Sequence, residues 1–310
     1  MTDIPTKTKQ IGIFALANAA DPRTTECGVK NFQQFTGWEV IPYQLTPPGP
    51  RRLAGDDATR AKIFNDLLDE PQLDGLVAIR GGYGVTRLLD QIDFEKLRRR
   101  ECFLCGYSDL TALLLVAWKH GCRHLVHGPM IQSNWAADPK TTAFQTEANS
   151  FLNVLDPNTP CLPHPSTSHP VPCTLYPVPY TLHARALIPM NLTLLDALLG
   201  TEYLPDLSGI LLALEDIAAP AHDIDRKLNH LRQAGVLQRL AGLLFGQFTD
   251  AADDEFLPEI RREYASFVPG PVIENFPFGH SHPSIALPFG EPVELEISKN
   301  QAIKLTRWKI

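Results

Sequence analysis

The sequence predicts an α/β protein with two lobes: an N-terminal open, mostly parallel sheet flanked by helices, and a second α/β lobe with a mixed sheet. Two observations support this fold class. Short apolar runs alternate with longer amphipathic runs over the first 135 residues, which is typical of right-handed βαβ units. A proline-rich stretch then precedes a second set of short apolar runs, which indicates a connection between two lobes.

The N-terminal lobe is expected to span residues 1–135. Its short apolar runs predict four strands, at residues 11–16, 75–79, 102–105 and 124–126. Its longer amphipathic runs predict three helices, at residues 57–68, 85–97 and 110–120. Because these strands alternate with helices, we expect a sheet covered on both faces.

The connecting segment is expected to span residues 136–180, with a helix at 141–155. Eight prolines lie in the stretch from Pro157 to Pro179, these two included. Proline has no backbone N–H and a fixed φ, so this stretch is neither regular helix nor central strand. It is interpreted as an extended linker or surface loop.

The C-terminal lobe is expected to span residues 181–310. Helices are predicted at residues 191–199 and 224–234, and short strands at 209–214, 242–246 and 272–275. Alternating apolar residues at 293–297 and 303–305, on either side of Lys299 and Asn300, predict a closing hairpin.

Composition excludes several classes of function. The chain has 310 residues and a net charge of -7, whereas a nucleic-acid or anionic-membrane surface needs a basic patch. No apolar run reaches the roughly 18 residues that a membrane span requires. The first ten residues are polar and no signal-peptide pattern follows them, so we expect a cytoplasmic protein.

The six cysteines are too sparse for a disulfide scaffold in a chain of this length. Cys102, Cys105 and Cys122, together with His124 and His127, could supply a zinc site. However, a strand at 102–105 would point the first two side chains to opposite faces. We therefore interpret these cysteines as small buried hydrophobic residues and expect no metal.

Two segments that follow predicted strands carry candidate chemistry. The first contains Gly81, Gly82 and Gly84, and the second contains Ser108 and Asp109. In an open α/β sheet such segments meet at the carboxyl edge, where ligands bind. The glycines match neither GxxxxGK[ST] nor GxGxxG, so a nucleotide site is not indicated, whereas exposed glycine amides suit an oxyanion hole.

Ser108 lies between a predicted strand and a predicted helix and follows Gly106. This arrangement partly matches a nucleophile elbow, in which the amide of the next residue, here Asp109, faces the developing oxyanion. The full GxSxG pattern is absent. Ser108 or Asp109 could instead simply cap the following helix, because serine and aspartate are favoured N-caps.

A serine nucleophile needs a base and an orienting carboxylate. His280 follows Gly279 shortly after a predicted strand and is the candidate base, with His282 as its rival. Glu215 and Asp216 follow the apolar run at 209–214 and are the candidate carboxylates. Spacing alone leaves these alternatives open.

Five segments resemble the LD-carboxypeptidases, serine peptidases that also include the microcin C self-immunity proteins. They occur in the family's order and extend from about residue 74 to residue 290. The segments are IRGGYGVTRLLDQIDF, GYSDLTALLL with a trailing HGPM, NLTLLDALLGTEY, GILLALEDI with IDRKLNHL behind it, and GHSHPSIALPFG.

The resemblance implies a catalytic triad of Ser108, Glu215 and His280, matched position by position. It also implies an oxyanion hole formed by the backbone amides of Asp109 and Gly82. It further implies two lobes, often paired as a homodimer, with no metal or cofactor. The implied reaction is removal of a C-terminal D-alanine from murein tetrapeptides in peptidoglycan recycling.

The chain departs from the family's pattern at three places. Pro189 and Met190 stand where a Gly-Gly pair is usual, and residues 17–19 replace a Pro-Ser pair after the first strand. His222 stands where tyrosine is common. None of these removes a triad member, but all fall where substrate pockets or loop shape could be set.

Two alternative functions stay open. The same chemistry could detoxify a microcin C-like aminoacyl nucleotide, which a base-stacking aromatic such as Trp118 or Trp135 at the site would favour. Alternatively, the chain could be a two-lobed binding protein without catalysis, although the intact triad pattern argues against it. A cysteine-dependent hydrolase is not favoured, because no cysteine lies in an elbow beside a base.

Overall fold

The computed structural model describes residues 8–159, 179–252, 254–299 and 302–307. Most of the proline-rich stretch, and with it the predicted linker or surface loop, lies outside the described residues. Within them the chain forms three sheets, and the expected α/β class is confirmed.

The first sheet has six strands in the order β11-β5-β4-β3-β1-β2. Neighbours among β1 to β5 pair in parallel, while β11 is antiparallel to β5. The bounds are β1 Gln10–Phe14, β2 Glu39–Val40, β3 Gly75–Ala78, β4 Phe103–Gly106, β5 Leu125–His127 and β11 Leu287–Phe289.

Five helices accompany this sheet: α1 Pro22–Thr36, α2 Asp57–Leu67, α3 Phe94–Arg99, α4 Leu110–Lys119 and α5 Thr142–Leu155. Helix α4 is buried along almost its whole length, which explains its continuous apolar sequence. A short π-helical turn, Ile131–Trp135, also packs against α1. Phe151 of α5 lies in the same core cluster as Phe32 of α1, so α5 packs on this sheet.

The second lobe contains two sheets. One is parallel, in the order β10-β9-β8-β7, and the other is antiparallel, in the order β13-β12-β6. The strands are β6 Tyr180–Ala184, β7 Leu187–Asn191, β8 Leu211–Ile217, β9 Gly242–Thr249, β10 Val272–Ile273, β12 Val293–Ile297 and β13 Ile303–Arg307. The helices are α6 Leu192–Leu198, α7 Ala221–Gln233 and α8 Leu257–Ala265. Pairing of β12 with β13 agrees with the predicted closing hairpin.

Two element predictions need correction. The single helix expected at 85–97 is a 3-10 turn, Val85–Arg87, followed by α3, because the Asp93 carboxylate accepts from Lys96 N and starts a new helix there. Glu215 and Asp216 do not follow their strand but lie within β8, which continues to Ile217. The pairing of β8 with β9 is irregular between Leu214 and Asp216, as in a β-bulge.

Strand β11 joins the two lobes. It belongs to the C-terminal half of the chain but completes the first sheet through Leu287 opposite His127. The carbonyl of Leu187 on β7 accepts from Gly290 N at 2.7 Å, directly after this strand. The C-terminal half therefore contributes main-chain pairing to the N-terminal sheet. Within the described ranges, we find no helix whose length and hydropathy would suit a membrane crossing.

Candidate active site

Ser108 occupies the sharp turn between β4 and α4. Its φ of 62° is in the left-handed region, which is unusual for a residue other than glycine. A Cβ on Gly106 would lie 3.1 Å from Leu110 Cβ and 3.2 Å from Ala78 Cβ, so strand and helix pack closely at this turn. Asp109 is the N-cap residue of α4 but makes no side-chain capping bond. The turn therefore has the strained geometry of a nucleophile elbow.

His280 lies between Ser108 and Glu215. Its Nε2 is 3.0 Å from Ser108 Oγ, and its Nδ1 is 2.6 Å from Glu215 Oε2. An Nδ1–H that donates to the carboxylate leaves Nε2 free to accept the serine proton. The structure thus brings all three predicted triad residues into one hydrogen-bonded chain.

Glu215 is fully buried, and burial raises the pKa of its carboxyl. Hydrogen bonds from His280 and Asn191 oppose that rise in the pKa. Asn191 Nδ2 lies 3.2 Å from Glu215 Oε1 and 3.1 Å from Asp216 Oδ1. Neighbouring residues of a regular strand face opposite sides, so the β-bulge explains how one amide contacts both carboxylates.

The two rival residues have other partners. Asp216 accepts from Thr193 Oγ1 at 2.7 Å and pairs with Lys227 Nζ at 3.3 Å. His282 Nδ1 lies 2.7 Å from Glu147 Oε1. Neither side chain is placed to act on Ser108.

The glycine-rich segment after β3 lies directly against the serine. A Cβ on Gly81 would be 2.8 Å from Ser108 Cβ and 3.0 Å from its Oγ. Gly82 has a φ of 127°, and a Cβ there would lie 2.5 Å from Asn18 Oδ1, so only glycine fits. Gly82 lies one residue farther along the chain than the glycine that contacts Ser108.

Three side chains hold this glycine-rich segment in place. Asn18 Oδ1 accepts from Tyr83 N at 2.9 Å, and Asp109 Oδ2 accepts from Val85 N at 2.8 Å. Arg60 is fully buried and its Nη1 donates to Gly84 O at 3.1 Å. Asp109 therefore places its backbone beside the serine while its carboxylate anchors the neighbouring segment.

The sequence of this chain matches the models of two domains that belong to one family. Residues 11–128 match the LD-carboxypeptidase N-terminal domain, and residues 186–295 match the LD-carboxypeptidase C-terminal domain. A putative carboxypeptidase of Streptomyces coelicolor is 32% identical over 275 residues, 84% of this chain and 82% of the relative. The chain belongs to the LD-carboxypeptidase family.

Further relatives include proteins named for their substrate. The murein tetrapeptide carboxypeptidase of Pseudomonas aeruginosa is 28% identical over 79% of this chain and 80% of its own. The solved muramoyltetrapeptide carboxypeptidase from Oxalobacter formigenes has a TM-score of 0.79 at 26% identity, covering 96% of this chain and 98% of that one. Both names refer to peptides of the cell wall.

The fold is also shared with a self-immunity protein. The structure of MccF in complex with glutamyl sulfamoyl guanosine has a TM-score of 0.84 at 21% identity, covering 98% of this chain and 97% of that one. At this identity the similarity concerns the fold.

The departures from the family's pattern lie at different distances from the triad. Asn18 contacts the glycine-rich segment directly, as described above. Pro189 and Met190 are buried in β7, immediately before Asn191. His222 lies at the start of α7, where its Nε2 is 3.7 Å from Asp223. Asn18 and the Pro189–Met190 pair therefore lie next to the site, and Asn18 contacts its glycine-rich segment directly.

Neither tryptophan proposed for base stacking is available at the site. Trp135 is 1% exposed and packs among Phe32, Phe144 and Phe151. Trp118 lies near the end of α4 opposite to Ser108, and its Nε1 donates to Gly290 O at 3.1 Å. The half-exposed aromatic on the glycine-rich segment is instead Tyr83.

The cysteines and histidines considered for zinc are dispersed. Cys105 Sγ lies 3.6 Å from Pro129 O, whereas Cys122 Sγ lies 3.7 Å from Phe94 O. His127 is buried between Tyr107 and Phe278. Across the described ranges, no cluster of three or more such side chains is arranged to hold a metal ion.

Sequence reasoning missed the buried carboxylate of Glu147 on α5. It accepts from Asn134 Nδ2 and Ser284 N, each at 2.9 Å, besides its contact with His282. Ser284 Oγ accepts in turn from Gly279 N at 3.0 Å. Glu147 therefore anchors the turn that carries His280, although no local sequence pattern marks it.

Proposed function

We propose that this chain is a serine-type LD-carboxypeptidase that removes the C-terminal D-alanine from murein tetrapeptides. The hydrogen-bonded chain from Ser108 through His280 to Glu215 is the observation that carries the proposal. The nucleophile follows β4 of the first sheet, whereas Glu215 lies in β8 of the second lobe and His280 lies in the C-terminal half of the chain. The names of the relatives support murein tetrapeptides as the substrate.

In this mechanism, His280 Nε2 takes the proton of Ser108 as Oγ attacks the carbonyl carbon before the D-residue. Glu215 holds the imidazole in the required tautomer and stabilises the imidazolium that forms. The same proton passes to the departing amino group of D-alanine, leaving an acyl-enzyme. Water activated by His280 then hydrolyses the ester and regenerates Ser108.

The tetrahedral intermediate carries an oxyanion that needs backbone donors. The amide of Asp109 is one proposed donor, because it directly follows the serine in the elbow. The amide of Gly82 is the other, because the segment that contains it packs against Ser108. Its neighbours are held by Asn18 and Asp109, so the second donor is fixed before substrate binds.

The proposal extends to location and assembly. A murein peptide taken up for recycling would meet this enzyme in the cytoplasm, and a homodimer is the expected assembly. Nucleic acids and membranes are not expected partners, since the net charge is -7.

The direct test uses the peptide L-Ala-γ-D-Glu-meso-diaminopimelyl-D-Ala and measures released D-alanine. A matched peptide that ends in L-alanine controls for stereochemistry. We expect D-alanine release from the first peptide and little alanine release from the second. Absence of D-alanine release would contradict the murein assignment.

Cleavage of an aminoacyl nucleotide is the second candidate, and the half-exposed ring of Tyr83 beside the site favours it, because a nucleobase can stack on such a ring. The test incubates the protein with glutamyl sulfamoyl guanosine and follows release of glutamate. Cleavage of this compound in preference to the tetrapeptide would replace the first candidate.

A further inference from the structure

Arg80 has no carboxylate partner among the described residues, and it lies one residue before Gly81, the glycine that faces the nucleophile. A Cβ added to Gly81 would lie 2.8 Å from Ser108 Cβ, so the backbone next to Arg80 is close to the serine. Arg80 itself is partly buried. Its Nε donates to Gly81 O at 3.2 Å, and its Nη1 lies 3.4 Å from Ala19 O. Within the described ranges Nη2 has no protein acceptor, so a guanidinium with five N–H donors keeps several available.

Three other charged side chains around the site already have partners. Arg60 pairs with Asp57 and is fully buried, and Lys227 pairs with Asp216. The carboxylate of Asp109 is occupied by the Val85 amide. Unlike Arg60 and Lys227, Arg80 forms no ion pair with a carboxylate among the described residues.

Resting on the proposed function, we infer that Arg80 binds the C-terminal carboxylate of the substrate and makes the enzyme select free C-termini. Three covalent bonds separate the scissile carbonyl carbon from that carboxylate carbon, so the two lie within about 4 Å of each other. When the scissile carbonyl is bound at Ser108, the C-terminal carboxylate of the substrate therefore lies close to the serine. Arg80, the residue before Gly81, has a side chain long enough to reach that region. Guanidinium binds carboxylate through two parallel N–H···O bonds, which fixes orientation as well as charge.

The test combines two substrates with the wild-type enzyme and Arg80→Gln. One substrate is the tetrapeptide that ends in D-alanine, and the other is the same peptide that ends in D-alaninamide. We expect Arg80→Gln to lower kcat/KM about 10- to 100-fold for the free acid, as for loss of one charged hydrogen-bonded contact, and to leave the amide almost unchanged. Arg80→Lys, which keeps the charge, should restore part of the preference for the acid.

Arg52→Gln is the matched control. The backbone carbonyl of Arg52 accepts from Ala19 N at 2.8 Å, and Ala19 O lies 3.4 Å from Arg80 Nη1, so Arg52 is near Arg80. The Arg52 side chain is exposed and forms no ion pair within the described ranges. This variant should keep the preference for the acid. Loss of the preference in Arg52→Gln but not in Arg80→Gln would overturn the inference, as would an equal loss on both substrates in Arg80→Gln.

A binding measurement separates this inference from the proposed function. The affinities of the acid and the amide peptides are measured by calorimetry in the Ser108→Ala background, with and without Arg80→Gln. We expect the acid to bind more tightly only when Arg80 is present. An equal preference in both proteins would overturn the role of Arg80. By contrast, a wild-type enzyme that binds the acid through Arg80 but releases no D-alanine would overturn only the proposed reaction.

Discussion

At the scale of single residues, two adjacent carboxylates in β8 have different side-chain partners. Glu215 faces His280, whereas Asp216 faces Thr193 and Lys227, and Asn191 contacts both carboxylates. The sequence indicates both acids as candidates but does not distinguish them, because the β-bulge that re-aims them depends on pairing with β9. The match to the family's pattern selects Glu215, and the structure places that residue against the histidine.

The first residue-scale prediction concerns Glu215→Gln. We expect kcat for D-alanine release to fall about 10³- to 10⁴-fold, because the amide no longer stabilises an imidazolium or enforces its tautomer. The fold should persist, since the variant removes a buried charge. The measurement is kcat together with the melting temperature, with Glu259→Gln, a substitution at an exposed position of α8, as control. Wild-type kcat in Glu215→Gln would remove this residue from the triad.

The second residue-scale prediction concerns Asp109. It is 3% exposed, and burial raises the pKa of its carboxyl to about 6. The folded state therefore holds this proton between about pH 4 and pH 6 while the unfolded state releases it, so this group's contribution to stability falls as pH rises through that window. Asp109→Asn lacks the effect and should keep an acceptor for Val85 N.

We therefore expect the stability of Asp109→Asn relative to wild type to increase from pH 4 to pH 7, by at most about 3 kcal/mol in unfolding free energy. Denaturant titrations at several pH values measure this difference. A difference that stays constant or decreases with rising pH would contradict the assignment of a buried, proton-binding Asp109.

At the scale of secondary structure, apolar periodicity predicts the elements that bury apolar faces. It predicts α2 and α4 within one or two residues, but it misses α1. The buried residues of α1 are mostly polar or small, namely Thr25, Gly28, Asn31 and Phe32, so that helix carries little apolar signal. Asp21 caps this helix and Pro22 opens it, and these two residues are the local signal that could have predicted it.

The element-scale prediction concerns the contact between the glycine-rich segment and the elbow. Gly81 does not have a positive φ, so its φ suits alanine, but the new Cβ would lie 2.8 Å from Ser108 Cβ and 3.0 Å from Ser108 Oγ. We expect Gly81→Ala to fold with a lowered melting temperature and to lose about 100-fold in kcat, because Ser108 or the oxyanion donors must shift to admit the new Cβ. Unchanged kcat in the folded variant would show that this contact does not position the reaction.

At the scale of the whole molecule, the site depends on contacts between distant parts of the chain. Ser108 and His280 are 172 positions apart, and β11 crosses from the second lobe into the first sheet. Local patterns show where strands end, and therefore which residues lie at sheet edges. They do not show which edges meet, since β11 is a three-residue strand centred on Pro288 with little signal of its own. For the same reason the anchoring of the His280 turn by Glu147 was not predictable.

The whole-molecule prediction concerns cooperativity. Leu287 is fully buried in β11, so Leu287→Ala should cost about 2–5 kcal/mol. Because β11 belongs to the first sheet and packs with residues of the second lobe, we expect both lobes to unfold in one calorimetric transition that shifts as a whole. Two resolved transitions, of which Leu287→Ala shifts only one, would contradict this coupling.

The most direct test of the central claim compares D-alanine release from the tetrapeptide by wild type, Ser108→Ala and Ser266→Ala. Ser266 is an exposed serine after α8 and serves as the matched control. The account predicts that kcat falls by several orders of magnitude only in Ser108→Ala. Release that continues at the wild-type rate in Ser108→Ala would contradict the assignment of Ser108 as the nucleophile, and with it the proposed triad.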